Sequence, residues 1–143
     1  MPQPQIQNVA TSKLKINPNN VRTHPKRQID KLAELIRRIG FIVPIVVNPA
    51  LVVLAGHGRL AAAKQLGHKL VPDIIVDHLS DAEMRLFALA DNKLAQMAGY
   101  DNAKLAVELQ ELAPLLSDIN IDFHLTGFET PELDPAFWRA YRP

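Results

Sequence analysis

The run from Leu51 to Gly67, LVVLAGHGRLAAAKQLG, constrains the fold of this chain more than any other stretch. It begins with an apolar piece that favours β-structure and breaks at Gly56 and Gly58. It then continues with the periodicity of a short helix that stops at Gly67. The sequence therefore predicts a strand, a glycine turn and a helix within about 17 residues.

This glycine turn is a candidate anion site. A helix entered through glycines leaves several backbone N–H groups unpaired in its first turn, at the positive end of its dipole. Arg59 lies in or beside that turn, where a cation does not suit the helix, so a bound anion would explain it. His57 could reach the same point. Spacing alone leaves a plain tight turn equally open, because neither GxxxxGK[ST] nor a complete GxGxxG is present.

Length and composition indicate an ordinary globular chain. It has 143 residues, of which 48% are hydrophobic, and this suffices for a core. The apolar runs are far shorter than the roughly 20 residues of a membrane-spanning helix, and the N-terminus lacks the order of a signal peptide. We therefore expect a cytoplasmic protein without a membrane partner.

Residue counts exclude several kinds of chemistry. The absence of cysteine rules out disulfides, thiolate metal sites and a cysteine nucleophile. The five histidines show no HxxxH or HExxH spacing, so we expect no protein metal site. The formal charge of +1 means that any contact with nucleic acid would need a local patch.

The first 24 residues predict a strand and an exposed loop. Residues 6–10 suit a short edge strand. The loop KINPNNVRTHP contains turn-forming residues, including Asn20, and carries Arg22. Loop cations are often functional, but a solvated Arg22 is the simpler interpretation of the residue pattern alone.

A strongly signalled helix follows this loop. We expect Thr23 or His24 as its cap, Pro25 near its first position and Gly40 as its stop. The cations of this segment are Lys26, Arg27, Lys31, Arg37 and Arg38. The last two suit the negative end of the helix dipole, which favours a capping role over nucleic-acid contact.

Further strands are predicted in FIVPIVV and LVPDIIV, on either side of the glycine turn. A capping box, Ser80 to Glu83, begins the next helix, in which Asp91 and Asn92 are polar interruptions. The residue pattern favours a solvent-facing Asn92 over one that holds a ligand.

The C-terminal part predicts a second helix and a tail. Asp101 caps a helix with a leucine stripe, and Pro114 should kink or end it. The tail should pack through a few apolar side chains, on this chain or on a neighbouring one. These side chains are Phe123, Leu125, Phe128 and Trp138. We expect no helix-turn-helix after residue 97.

The order of these motifs resembles the ParB N-terminal, sulfiredoxin-like domain family over residues 6–97. The resemblance rests on the NxR loop, the AGHGRL turn and the helix ending in DN. The spellings AGHGRLxAAxxLG, LxDNxLAxxAGYD and LTGFE resemble members that accompany DNA-modification methyltransferases of phages and mobile elements. The resemblance implies an α+β fold, with a small mixed sheet packed with helices. A nucleotide-binding domain would span residues 1–97 and a helical extension residues 98–143.

The resemblance also implies a nucleotide site. Its residues are Gly56, His57, Gly58, Arg59 and Leu60 at the turn, Asn20 and Arg22 in the loop, and Asn92 in the later helix. In the partition members of the family this site holds CTP and drives a DNA clamp, and in sulfiredoxins it holds ATP. The implied cofactor is therefore CTP or ATP, with Mg²⁺ open as an ion that bridges the phosphates.

Three departures from the family limit what it implies. Sulfiredoxin needs a cysteine in its glycine motif, so that reductase activity is excluded. Partition proteins carry two adjacent arginines at the turn, whereas Gly58 replaces the first of them here. The arginine that closes their helix motif is Ala95 in this chain. CTP specificity and a clamp cycle do not follow.

Three functions therefore remain. The leading one is a nucleotide-phosphate-binding module in DNA processing, modification or partition. The second is a ParB-like nuclease or a slow nucleoside-triphosphate hydrolase, in which His57, Glu34 or Asp91 would orient the nucleophile. The third is a nucleotide-independent DNA-binding protein. Its DNA-binding residues would be Lys26, Arg27, Arg37 and Arg38. DNA is the expected macromolecular partner, and a DNA methyltransferase and a second copy of the chain stay open.

Overall fold

The computed structural model describes residues 3–141 and shows two compact units that divide after residue 97. The first unit is a mixed sheet with helices, and the second is helical. The expected α+β class with a C-terminal helical extension is thereby confirmed. None of the helices within residues 3–141 is long and apolar enough to cross a membrane.

The sheet of the first unit has four strands in the order β1-β4-β2-β3. The strands are β1 (Ile6–Ala10), β2 (Ile45–Val47), β3 (Val53–Ala55) and β4 (Leu70–Ile75). β4 pairs antiparallel with β1 and parallel with β2, and β2 pairs antiparallel with β3. All the expected strands are present, so the prediction of a small mixed sheet is confirmed.

Three helices belong to this unit, α1 (Lys26–Ile39), α2 (His57–Gln65) and α3 (Asp81–Met97). The buried side chains Leu60 and Ala63 place α2 against the sheet, in one cluster with residues such as Val53. Ala62 joins a second cluster that contains Ile36 of α1. α2 therefore lies between the sheet and α1, and both of its neighbours restrain it.

The predicted cap of α1 is wrong, although its end is as expected. Pro25 occupies the N-cap position, and no side-chain hydrogen bond within residues 3–141 caps the helix there. His24 instead hydrogen-bonds through its ring Nδ1 to Gln28 Oε1, at 2.8 Å. Gly40 ends α1 with φ at 92°, a conformation that glycine adopts most easily.

The second unit contains α4 (Asn102–Asp118), two short 3₁₀ segments (Phe123–Thr126 and Thr130–Leu133) and α5 (Pro135–Ala140). Asp101 caps α4 by accepting a hydrogen bond from the Lys104 backbone N–H, as expected. Trp138 is buried against α4, and its indole N–H donates to the Glu132 carbonyl at 2.7 Å. The tail thus packs within its own unit.

Pro114 is expected to kink or end α4, and it does not end it, because the helix continues to Asp118. A proline removes one backbone donor and strains one turn, but it does not prevent helical geometry in the residues that follow. The aromatic tail packs against the part of α4 that precedes Pro114, through Leu105, Ala106 and Leu109.

Asp73 is the unusual residue of this core. It lies on β4 between β1 and β2, opposite Gln7 and Ile45, and it is fully buried. Neither carboxyl oxygen has a hydrogen-bond partner among the described residues. Burial raises the pKa of Asp73 to about 6, because the charged form loses hydration without compensation.

We predict that Asp73→Val stabilises the protein, and more so at pH 7.5 than at pH 4.5. The native carboxyl binds protons more readily than the unfolded one, so its presence costs stability as pH rises from about 4 to above 6. The full shift corresponds to about 3 kcal/mol, of which about 2 kcal/mol falls between pH 4.5 and pH 7.5. Chemical denaturation across this pH range would measure it, with the exposed Asp77→Val as the matched control. A stability gain in Asp73→Val that does not change with pH would contradict this explanation.

Candidate functional site

The glycine turn has the geometry of an anion-binding helix start. Gly56 caps α2 with φ at 107°, and its carbonyl accepts the Leu60 N–H at 2.9 Å. The N–H groups of residues 57–59 therefore precede the first helical hydrogen bond. No side chain in the described chain caps this end, and its first turn contains no acid. The positive end of the helix dipole and these N–H donors are therefore uncompensated at this turn.

A cleft of about 210 Å³ opens at this turn. All the expected nucleotide-binding residues except Leu60 line it. Leu60 is 2% exposed, packs in the core and gives its N–H to Gly56, so the structure does not bring it to the cleft. The cleft also contains residues that the motifs did not indicate. These are His24, Gln28, Leu32, Leu54, Ala55 and Asp91.

Arg59 is the main cation of the cleft. Its guanidinium Nη2 makes a long contact of 3.5 Å with the Pro44 carbonyl. Its buried Nε has no hydrogen-bond partner within residues 3–141. Burial lowers the pKa of Arg59, and the Asp91 carboxylate acts against this shift. A half-buried guanidinium with an unused donor is suited to an anionic ligand.

His57 already makes a hydrogen bond within the protein through its ring. Its ring Nε2 accepts the backbone N–H of Asn17 at 3.2 Å, which ties the 17–22 loop to the glycine turn. Burial lowers the pKa of His57, and the neighbouring His24 lowers it further. A neutral His57 therefore holds the loop, and its Nε2 does not act as a donor to phosphate.

The two asparagines of the site are also bonded within the protein. Asn20 accepts the Arg22 backbone N–H at 3.2 Å and donates to the Arg22 carbonyl at 3.3 Å. Asn92 donates to the Ala88 carbonyl in its own helix at 3.1 Å, and its side chain is half-buried at the cleft rather than facing solvent. Asn20 thus shapes the loop that presents Arg22 to the cleft.

Sequence reasoning missed His24, which it treated only as a helix cap. A Cβ on Gly58 would lie 3.0 Å from His24 Nδ1 and 3.2 Å from Leu32 Cδ1. Gly58 is therefore required for space, not for an unusual backbone conformation. The available signal was that Gly58 stands where the partition proteins carry an arginine, next to His57.

The four expected DNA-binding cations lie on α1, outside the cleft. Lys26 pairs with Asp30 at 2.7 Å, and Arg37 pairs with Glu34. All four are exposed. The pairs 26–27 and 37–38 lie at opposite ends of α1, about 17 Å apart along its axis. The four cations therefore form two separate groups, one at each end of α1, instead of one compact patch.

Among the described residues, no three His, Cys, Asp or Glu side chains are grouped so that they could hold a metal ion. Asp91 is the single carboxylate in the lining of the cleft. A magnesium ion that bridges phosphates needs few protein ligands, and Asp91 has the oxygen chemistry that this ion prefers.

The fold and cleft define a small α+β domain built around a helix start that has the geometry of an anion site. Comparison with family models matches residues 1–93 to the ParB N-terminal domain. The chain belongs to this family. A second model, the ParB-methyltransferase HTH domain, matches residues 103–137. The expectation that no helix-turn-helix follows residue 97 is therefore wrong at the level of sequence family.

Two curated relatives carry ParB names. The chain is 35% identical over 65 residues to the ParB-like nuclease domain-containing protein YnaK of Escherichia coli, covering 46% of this chain and 75% of that protein. It is 42% identical over 78 residues to the probable plasmid-partitioning protein ParB of Thermus thermophilus, covering 50% and 26% respectively. The match thus spans about a quarter of the plasmid protein.

The fold is also seen in a crystal structure of C-terminally truncated ParB from Caulobacter crescentus, complexed with CTP-γ-S. The TM-score is 0.69 at 22% sequence identity, over 90% of this chain and 74% of that one. At this identity the likeness shows the fold alone.

We predict that Gly56→Ala destabilises the protein by about 1 kcal/mol more than Gly67→Ala. Both glycines have positive φ, so alanine is strained by about 1 kcal/mol at either end of α2. A Cβ at Gly56 would also lie 3.3 Å from Ile45 Cγ1, whereas one at Gly67 would meet no described atom within 4 Å. Urea unfolding of the two variants would measure the difference, and equal costs would show that packing at the turn does not matter.

Proposed function

We propose that the first unit binds the polyphosphate of a nucleoside triphosphate in this cleft. The observation that carries the proposal is Arg59, a half-buried guanidinium with an unpartnered Nε among the described residues. It lies in the first turn of a helix whose leading N–H groups are also uncompensated. Phosphate oxygens would satisfy both sets of donors.

Several groups of the cleft would share the contacts with the polyphosphate. Backbone N–H groups of residues 57–59 and the Arg59 guanidinium would contact phosphate oxygens, and Arg22 would add a second cation. A bound Mg²⁺ would neutralise further phosphate charge, with Asp91 as the carboxylate available to it. CTP is supported as a candidate by the ligand of the Caulobacter ParB structure, and ATP is the alternative.

Calorimetric titration with CTP and ATP, with and without Mg²⁺, tests this proposal. We predict that Arg59→Ala weakens nucleotide binding at least about tenfold, because a charge-assisted hydrogen bond is worth about 1.5–3 kcal/mol. Lys64→Ala is the matched control, since it removes a cation from the other end of the same helix. Affinity that stays within about twofold in Arg59→Ala would refute the assignment of Arg59 as a phosphate ligand.

Slow triphosphate hydrolysis is a second candidate activity at the same site. It is favoured by Asp91, a carboxylate close enough to Arg59 to influence its pKa. Such a group can orient a water molecule for phosphoryl transfer. Nuclease activity has less support, because two-metal phosphodiester cleavage needs several carboxylates and Asp91 stands alone in the lining.

The charge distribution favours the first unit for a contact with DNA. Residues 1–97 contain 13 Lys and Arg against 7 Asp and Glu, whereas residues 98–143 contain 3 against 8. Lys104 is the one Lys or Arg in the range that matches the HTH model. Phosphate attraction dominates DNA affinity, so the acidic second unit is suited to contact a protein instead. A DNA methyltransferase is one such partner, in a cytoplasmic DNA-modification or partition system.

We predict that replacing Lys26, Arg27, Arg37 and Arg38 by alanine weakens DNA binding and lowers its salt dependence by up to about 3–4 in the log–log slope. Anisotropy titrations of a random-sequence duplex at several salt concentrations would measure both. The matched control replaces Lys13, Lys15, Lys64 and Lys69, which removes the same charge from the same unit away from α1. An equal effect of the control would show that α1 is not the DNA surface, and a larger loss in Lys104→Ala with Arg139→Ala would assign it to the second unit.

A further inference from the structure

The His24 ring covers the glycine turn. It precedes α1 in sequence, yet its Nδ1 and Cε1 lie 3.0 and 3.1 Å from the position of a Cβ on Gly58. It therefore occupies the space above the first turn of α2 that a side chain at Gly58 would need. The same ring lines the cleft, together with Arg22 and Arg59.

The hydrogen bond of His24 determines which of its nitrogens remains available to a ligand. Nδ1 lies 2.8 Å from Gln28 Oε1, and because a carboxamide oxygen only accepts, Nδ1 carries the proton. In the neutral ring Nε2 then holds a lone pair and repels a phosphate oxygen. Protonation converts Nε2 into a donor and adds a positive charge.

The residues that line the cleft with His24 come from the loop, α1, α2, α3 and β3. Arg22 in the loop and Arg59 on α2 are cations, His57 on α2 is neutral, and Asp91 on α3 is the one acid of the lining. The residues from α1 and β3 are uncharged, namely Gln28, Leu32, Leu54 and Ala55. A bound polyphosphate would bring several negative charges next to this ring, and nearby negative charge favours the protonated form of an imidazole.

We propose that His24 is a proton-dependent phosphate contact that takes up a proton when polyphosphate binds, and so supplies the cation that Gly58 cannot. This inference rests on the proposed nucleotide site and adds a residue and a pH dependence to it. His57 does not serve this purpose, because its Nε2 already accepts the Asn17 N–H. If binding takes up a proton, linkage requires nucleotide affinity to rise as pH falls.

Calorimetry in two buffers of different ionisation heat measures the proton directly. Near pH 7.5 we expect the wild-type chain to take up about one proton more per bound nucleotide than His24→Asn does. The comparison with the variant also cancels the protons that the nucleotide itself loses. From pH 8 to pH 6 the wild type should tighten about tenfold more than the variant. Asparagine is the conservative choice because its amide nitrogen can still donate to Gln28.

A double variant, His24→Ala with Gly58→Arg, separates the effect of charge from that of structure. It places a fixed cation at the turn, so it should restore nucleotide affinity without proton uptake. Gly58→Arg alone should not raise nucleotide affinity, because the new side chain would clash with the His24 ring. Equal proton uptake in wild type and His24→Asn, or pH-dependent binding that persists in the double variant, would overturn the role of His24. Loss of all binding in Arg59→Ala would still support the site, whereas a wild-type chain that binds no nucleotide would refute both.

Discussion

The burial of α2 on two sides is the constraint on which the site depends. Leu60 and Ala63 pack against the sheet, and Ala62 packs against α1. The alanines allow both layers to approach the helix closely, and every buried methyl group resists a shift of its axis. The first turn of α2 is thereby held at the ends of β2 and β3, where Arg59 reaches the Pro44 carbonyl. Donors that are fixed in this way need no reorganisation when an anion arrives.

Local signals in the sequence predicted the elements and the glycine turn, but tertiary contacts determined the rest of the site. The capping box, the glycine stops and the alternation of apolar residues act within a few residues. The approach of His24 to Gly58 joins positions far apart in sequence, and it arises because α1 packs on α2. The burial of Asp73 is likewise invisible in its strand, where a polar residue normally indicates a solvent face.

The second unit shows the same limit from another direction. Pro114 is a strong local signal against a helix, yet α4 passes it and continues to Asp118. The match to the HTH model shows the family to which this part of the chain is related, but not what it contacts. The second unit contains more acidic than basic residues, and for contact with DNA this charge matters more.

α1 links the two proposed activities of the first unit. One side of this helix lines the cleft through Gln28 and Leu32, and its exposed side carries the cations assigned to DNA. Gln28 also orients His24, the residue proposed to charge when phosphate binds. A ligand in the cleft would therefore act on the same helix that is proposed to contact DNA, through one hydrogen bond and the proposed change of charge at its N-terminal end. Nucleotide-dependent DNA binding would then need only a shift of α1, and an unchanged DNA affinity with saturated nucleotide would show that the two faces act independently.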